Sequence, residues 1–207
     1  MKILAIADEE SRLLWDYYKE GCLDGVDLIL SAGDLSSDYL EFLVTMTNLP
    51  IYYIHGNHDI RYDVKAPGGC ICIDDDLIVV NGIRILGLGG SMCYNKKKYQ
   101  YTDKQMKRRV LKLLPKICRY RGFDILLTHS PARGLHDAED LPHRGFEIFN
   151  WLLTKFKPKY FIYGHVHQTY GGKYARYDKV EDTELINAYE RCIFEYGDHN
   201  LKDHIIW

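Results

Sequence analysis

Ile51-Tyr52-Tyr53-Ile54-His55-Gly56-Asn57-His58-Asp59 is the stretch on which the reading of this sequence turns. Its first half is an aromatic and β-branched run of strand length, and its second half switches at one glycine to an amide, an imidazole and a carboxylate. The same switch recurs along the chain. Asp8 and Glu10 follow the apolar residues 2–7, Gly33-Asp34 follows 27–31, His129 closes 124–128, and Gly164-His165-Val166-His167 follows 160–163. Strand ends are where sites assemble in open α/β sheets, so these groups can converge on one edge although they lie far apart in sequence. Oxygen and imidazole donors with no sulfur suit Mn, Fe, Zn or Mg rather than a thiolate site.

Around these strands the periodicity alternates. Residues 77–80 and 83–88 are apolar runs split by Asn81-Gly82, which predicts an antiparallel hairpin. Helical spacing predicts helices over 11–20, behind Ser11 as a cap, and over 39–47, 103–119 and 145–156, the last ended by Pro158. Residues 184–188 and 191–196 read as a second hairpin closing the chain, and 89–102 as an ordered insertion. Strands alternating with helices, plus hairpins, predict an α/β fold with mixed sheets. Without repeats or a Pro/Ser-rich linker, residues 1–207 are expected to form a single domain.

Composition narrows the class. With 46% hydrophobic and 27% charged residues the chain reads as globular, and 27 basic against 29 acidic residues leave a net charge of −2. That balance gives no general reason to bind nucleic acid or an anionic membrane, so a phosphate-bearing ligand would have to be held locally. Neither a signal-peptide core nor a membrane-length apolar run is legible, and a cytoplasmic location is expected. The cysteines form no CxxC pair and are expected to be thiols.

The order Asp8, Gly33-Asp34, Gly56-Asn57-His58-Asp59, His129, Gly164-His165-Val166-His167 resembles the calcineurin-like metallophosphoesterases, over about three quarters of the chain. The resemblance implies a sandwich of two mixed β-sheets flanked by helices, with a two-metal site at the sheet edge. It implies that Asp8, Asp34 and His167 hold one ion, with Asp34 bridging, and that Asn57, His129 and His165 complete the other. His58 would be the acid that meets the phosphate or the leaving oxygen, oriented by Asp59. Two divalent ions about 3.5–4 Å apart would turn a bridging water into hydroxide for attack on phosphorus. Mn is the expected metal, with Fe, Zn or Co as alternatives. The substrate would be a small phosphodiester or phosphomonoester.

One position departs from the family. Glu10 stands where most members carry histidine, and it has two readings: a metal ligand that makes the first site harder, or a carboxylate facing a helix N-terminus. The polar stretch 128–145 reads as a substrate wall, with Arg133 and Arg144 as phosphate grips and His136 and His143 as contacts to the leaving group. The segment from Gly89 to Asn95 would form the opposite wall. A rival from another class stays open, because the retromer subunit of the same fold uses a degenerate site face to bind protein. The retained Asn57, His58, His129, His165 and His167 separate the two readings in favour of an enzyme.

Overall fold

The computed structural model describes residues 1–167 and 175–198. In chain order its elements are β1 (Lys2–Ile6), β2 (Leu28–Ser31), α1 (Ser37–Thr47), β3 (Ile51–Tyr53), β4 (Ile71–Cys72), β5 (Asp76–Val80), β6 (Ile83–Leu88), β7 (Ser91–Met92), β8 (Gln100–Tyr101), α2 (Asp103–Arg119), β9 (Ile125–Thr128), α3 (Glu147–Phe156), β10 (Tyr160–Tyr163), β11 (Tyr177–Val180), β12 (Thr183–Asn187) and β13 (Cys192–Glu195). A short 3-10 turn, Asp59–Asp63, follows β3. The strands form a five-stranded sheet ordered β13-β1-β2-β3-β4, a six-stranded sheet ordered β11-β12-β10-β9-β6-β5, and the small pair β7-β8. Both large sheets are mixed: β1-β2-β3-β4 and β6-β9-β10-β12 run parallel, while β13, β5 and β11 add antiparallel edges.

The period-2 alternation of the strands builds the layers. Ile3, Ala5, Leu28, Leu30, Ile125, Leu127, Tyr160 and Ile162 face one another between the two sheets. Their neighbours point outward: Leu4, Ile6 and Ile29 pack under α1 and the turns of the early chain, whereas Leu126, Phe161 and Tyr163 pack under α2 and α3. Helices and turns therefore cover both outer faces of the sandwich, as the resemblance implied. Each fully buried Leu or Ile here contributes roughly 1.5–3 kcal/mol of transfer free energy. The edges opposite the chain entry of each strand are left as the place where polar loops gather.

Local signals explain most elements. Ser36 caps α1 by accepting from the Tyr39 N–H at 3.3 Å, and Thr102 with Gln105 forms a full capping box on α2. Asn81 and Gly82 both have positive φ, the conformation a tight hairpin between β5 and β6 requires. Two expectations are corrected. Residues 11–20 form successive turns, not a helix: the Ser11 hydroxyl donates to Glu190 at 2.9 Å instead of capping, and Leu13 and Tyr17 are exposed so that Leu14 alone enters the core deeply. Residues 184–188 and 191–196 are not a hairpin. β12 pairs in parallel with β10 in one sheet, and β13 pairs with β1 in the other, so the chain crosses between sheets at Ala188–Arg191 (the Ala7–Tyr189 bridge marks the crossing). The apolar face of each strand is satisfied by a different sheet, which period-2 patterning alone does not reveal.

Candidate functional site

The parallel strands β1, β2, β9 and β10 end at the same edge, and four of the five sequence blocks leave directly from them. Asp8, Asp34 and His165 all sit at positive φ, 66°, 59° and 68°, a backbone region costly for residues with a Cβ. The surrounding backbone enforces it. The Asp8 N–H donates to the Gly33 carbonyl at 3.1 Å, and the His165 N–H donates back to the Asp8 carboxylate at 2.8 Å. Gly33 and Gly56 lie against each other so closely that a Cβ on Gly33 would stand 2.2 Å from the Gly56 nitrogen, and one on Gly56 2.0 Å from Asp34 Oδ1. Glycine is needed at both places because the Gly56 backbone in one case, and the Asp34 carboxylate and nitrogen in the other, occupy the space a side chain would take.

The turn after β3 is held from below. Asp59, buried, accepts from the Gly56 N–H at 2.7 Å and the Asp34 N–H at 2.8 Å, while Asp34 Oδ1 accepts from the His58 N–H at 2.7 Å. Burial and the Asp34 charge push the Asp59 carboxyl up to about 6. This reciprocal exchange fixes Asp34, Asn57 and His58 relative to one another. Further back, Asp74 accepts from His55, the Gly89 N–H and Arg109 at 3.0, 2.7 and 2.7 Å, and Arg109 also donates to the Gly89 carbonyl at 2.6 Å. That network ties the Gly56 turn to the Gly89 loop and to α2. Sequence reasoning passed over it, although Arg109, three residues after the buried Met106 on the inward side of α2, was a visible signal of a buried charge.

His129 and His165 have defined tautomers. A backbone carbonyl only accepts, so His129 Nδ1, 2.8 Å from the Ala32 carbonyl, carries a proton, and Nε2 turns to Asn57 Oδ1 at 3.0 Å and Asp34 Oδ2 at 3.3 Å. By the same reasoning His165 Nε2 donates to the Pro142 carbonyl at 2.7 Å, which leaves the lone pair on Nδ1. Two oxygens facing His129 Nε2 call for either a second proton on the ring or a cation among the three atoms. The electrostatics state the same tension. Burial opposes charge on His129, but Asp34 outweighs it and raises the imidazole to about 9. Burial likewise opposes ionisation of Asp34, yet His129 and the His58 N–H bring it down to about 2. Burial, followed by repulsion from His129, holds His165 neutral, down to about 3. Asp8, buried and beside Asp34, is pushed up to about 7.

Asp34, His129 and His165 each offer a ligand atom, and these atoms lie within 4.8 Å of one another. With Asn57 on His129 and Asp8 on the His165 backbone, the donor set of carboxylates, an amide oxygen and neutral imidazoles fits a divalent ion of the harder or borderline kind. His167 joins Asp8, Asn57, His58, Tyr94 and His143 around a cavity of about 410 Å3 at this centre, its ring 5.1 Å from that of Tyr189. His58 presents an exposed imidazole there, its Nε2 4.0 Å from Asp34 Oδ2. Tyr94, on the wall expected from the Gly89 segment, accepts from Asn57 Nδ2 at 3.3 Å. Pro142 and Tyr189 were not singled out in the sequence, since a carbonyl acceptor and a ring contact leave no residue-type signature.

Other expected residues lie apart from that cavity. Glu10 Oε1 accepts from the Ser36 N–H at 3.0 Å and lines a neighbouring hollow. Arg133 is committed to Gly145 O, Asp103 and Glu147 at 2.8, 2.8 and 3.1 Å, and with Arg144 it lines a separate depression. Arg144 donates to the Glu139 carbonyl at 2.9 Å. His136 bridges the Tyr163 hydroxyl and Asp178 at 2.6 and 2.8 Å. Of the four loop candidates, His143 is the one that lines the cavity, its ring 5.2 Å from that of His165.

The layered α/β fold and the strand-end donors define a metallophosphoesterase-type protein. The sequence profile described as calcineurin-like phosphoesterase matches residues 1–169, and the chain belongs to that family. A human protein named metallophosphoesterase domain-containing protein 1 is 24% identical over 185 residues, covering 70% of this chain and 55% of that one. The chain thus spans about half the length of the curated relatives it matches. The solved structure of TT1561 from Thermus thermophilus superposes with a TM-score of 0.62 at 14% identity, covering 93% of each chain. That of GAP50, titled the anchor in the inner membrane complex of Plasmodium, superposes with a TM-score of 0.55 at 12% identity, covering 93% of this chain and 80% of that one. Both likenesses are of fold. Among the described residues no helix is long and apolar enough to cross a membrane.

Proposed function

We propose that the protein is a metal-dependent hydrolase of a small phosphate ester, either a phosphodiester or a phosphomonoester, using two divalent ions, with Mn preferred on the hardness of the donors. The observation that carries this reading is the convergence of Asp34 with the tautomer-fixed His129 and His165 within 4.8 Å. Asp8, Asp34 and His167 would hold one ion, and Asn57, His129 and His165 the other, with Asp34 shared. When bound, the ions would neutralise phosphoryl oxygens and acidify the attacking water.

The remaining work falls to the chain itself. Ala32 and Pro142 accept from His129 Nδ1 and His165 Nε2 and so turn the opposite ring nitrogens, Nε2 of His129 and Nδ1 of His165, toward the ions. Asp59 holds the turn that carries Asn57 and His58. His58, exposed at the cavity mouth, donates its proton to the leaving oxygen as the P–O bond breaks and water oxygen becomes attached to phosphorus. Tyr94 and His143 bound the space in which the ester group sits.

Elemental analysis of the purified protein, together with hydrolysis of bis(p-nitrophenyl) phosphate before and after chelation, tests the reading. Stoichiometric metal, activity lost to the chelator and activity restored by Mn are expected. Undiminished activity in metal-stripped protein would overturn the metal-dependent mechanism, and metal-free, inactive protein would return the fold to the role of a protein-binding scaffold.

A further inference from the structure

Two hollows open beside the centre and share a wall. The cavity of about 410 Å3 and a second hollow of about 580 Å3 both have Asp34 and His58 in their walls, the second bounded further by Glu10, Ser36, Ser37, Arg61, Tyr62 and Val64. A monoester reacting at Asp34 and His58 has one organic arm and leaves one hollow to water. A diester has two arms leaving phosphorus, and two hollows that share Asp34 and His58 in their walls offer a place for each.

The lining of the second hollow indicates the chemistry of its arm. Glu10 lines the hollow, and its Oε1 accepts from the Ser36 N–H at 3.0 Å. Lys65 is neutralised by Asp38 and Glu41 at 2.6 and 3.3 Å. Among the described residues, neither the Ser37 hydroxyl nor the Arg61 guanidinium has a side-chain partner, and both line the hollow. An acceptor, a hydroxyl and a donor placed together suit ligand hydroxyls, each of which can donate and accept. A further phosphate would instead meet the Glu10 carboxylate, with Asp38 also on the wall.

We infer that the second hollow is a subsite for a neutral, hydroxyl-bearing alcohol arm of polyol or ribose type, so that the substrate class is a phosphodiester; the inference rests on the phosphoesterase reading. Glu10, Ser37 and Arg61 bind the arm, and Tyr62 supplies the apolar floor. The departure of Glu10 from the family pattern then has a role in selecting substrate.

Calorimetric titration of the Mn-loaded protein with glycerophosphoglycerol, diethyl phosphate and glycerol phosphate tests this, alongside Ser37→Tyr, which fills the hollow, and Arg61→Ala, which removes a donor without filling it. Glycerophosphoglycerol is expected to bind about tenfold or more tightly than diethyl phosphate, the worth of one or two well-made hydrogen bonds. Ser37→Tyr should erase that preference and Arg61→Ala should reduce it several-fold. Equal or undetectable binding of the two diesters, tighter binding of glycerol phosphate, or a preference untouched by both variants overturns the inference. Turnover is followed separately by phosphorus NMR. A binding preference without hydrolysis would sink the phosphoesterase reading and leave the subsite standing, whereas hydrolysis of both diesters without a preference would do the reverse.

Discussion

Two of the polar segments that follow strands in this molecule use the same residue types to opposite ends. The turn Gly56-Asn57-His58-Asp59 is braced by two carboxylates on backbone N–H groups: Asp59 accepts two, Asp34 accepts a third, and two glycines allow the chains to touch. Its side chains at Asn57 and His58 are left to face the cavity. The loop 130–145 holds itself through side chains, with Arg133 tied to Asp103 and Glu147, His136 to Tyr163 and Asp178, and His143 to Asp140. Only Pro142 and His143 of that loop line the cavity. A short turn braced by one buried carboxylate and its neighbour leaves two of its three polar side chains facing the cavity; a long loop needs most of its own to stay in place.

The largest effect that would break this comparison is expected from Gly56→Ala. A methyl group 2.0 Å from Asp34 Oδ1 and 2.6 Å from the Asp34 nitrogen must displace the turn. The variant should lose bound metal and roughly 2–4 kcal/mol of stability, read by elemental analysis and urea unfolding. A stable, metal-replete Gly56→Ala protein would show that the close approach is not required. Next comes Asp34→Asn, which keeps the shape but removes the charge that faces His129. Hydrolysis should fall by about a thousandfold or more, with loss of metal and with the His129 imidazole, measured by NMR, moving down from its raised value of about 9 in metal-free protein.

A smaller effect concerns the bracing behind the turn. His55 lies 3.0 Å from Asp74 and stacks on Tyr99 at 4.2 Å. Burial opposes its charge, but Asp74 outweighs it and the group rises from 6.5 to about 9. A raised folded-state value means that the stabilisation is complete below the unfolded value and is lost as pH climbs through about 9. The urea midpoint should therefore fall between pH 6.5 and 9, and Asp74→Asn should flatten that slope; an unchanged slope would remove the pair from the account. The smallest effect is expected from Arg133→Ala. Its ion pairs are partly exposed, so about 0.5–1 kcal/mol of stability should go with little change in KM, checked by thermal unfolding and steady-state kinetics. A clear rise in KM would give the arginine back the phosphate-gripping role that its residue type suggested.

The same contrast explains what could be read in advance. Blocks whose ligands leave a strand end carried their position with them, because strand period and parallel pairing put Asp8, Asp34, His129 and His165 on one edge. The span of α2 was equally explicit in its helical spacing. Where an element depended on tertiary partners, local pattern misled. Ser11 looks like a helix cap until Glu190 is beside it, and the last two strands look like a hairpin until each is seen to complete a different sheet. Arg133 and Arg144 read as phosphate grips and His136 as a leaving-group contact by residue type; the partners the structure gives Arg133 and His136, Asp103 and Asp178, lie outside any local window, whereas Arg144 meets the Glu139 carbonyl within its own loop.

The pairing of β13 with β1 also sets a timetable. Lys2 finds its register partner in Glu195, so one side of β1 stays open until the ribosome has reached that distant glutamate. At about 5–20 residues per second, synthesis leaves the edge uncovered for roughly 10–40 s. This outermost pairing is then a late one to close, and an exposed strand edge of Ile3, Leu4 and Ala5 is what a nascent chain would show to chaperones and to other copies in the meantime.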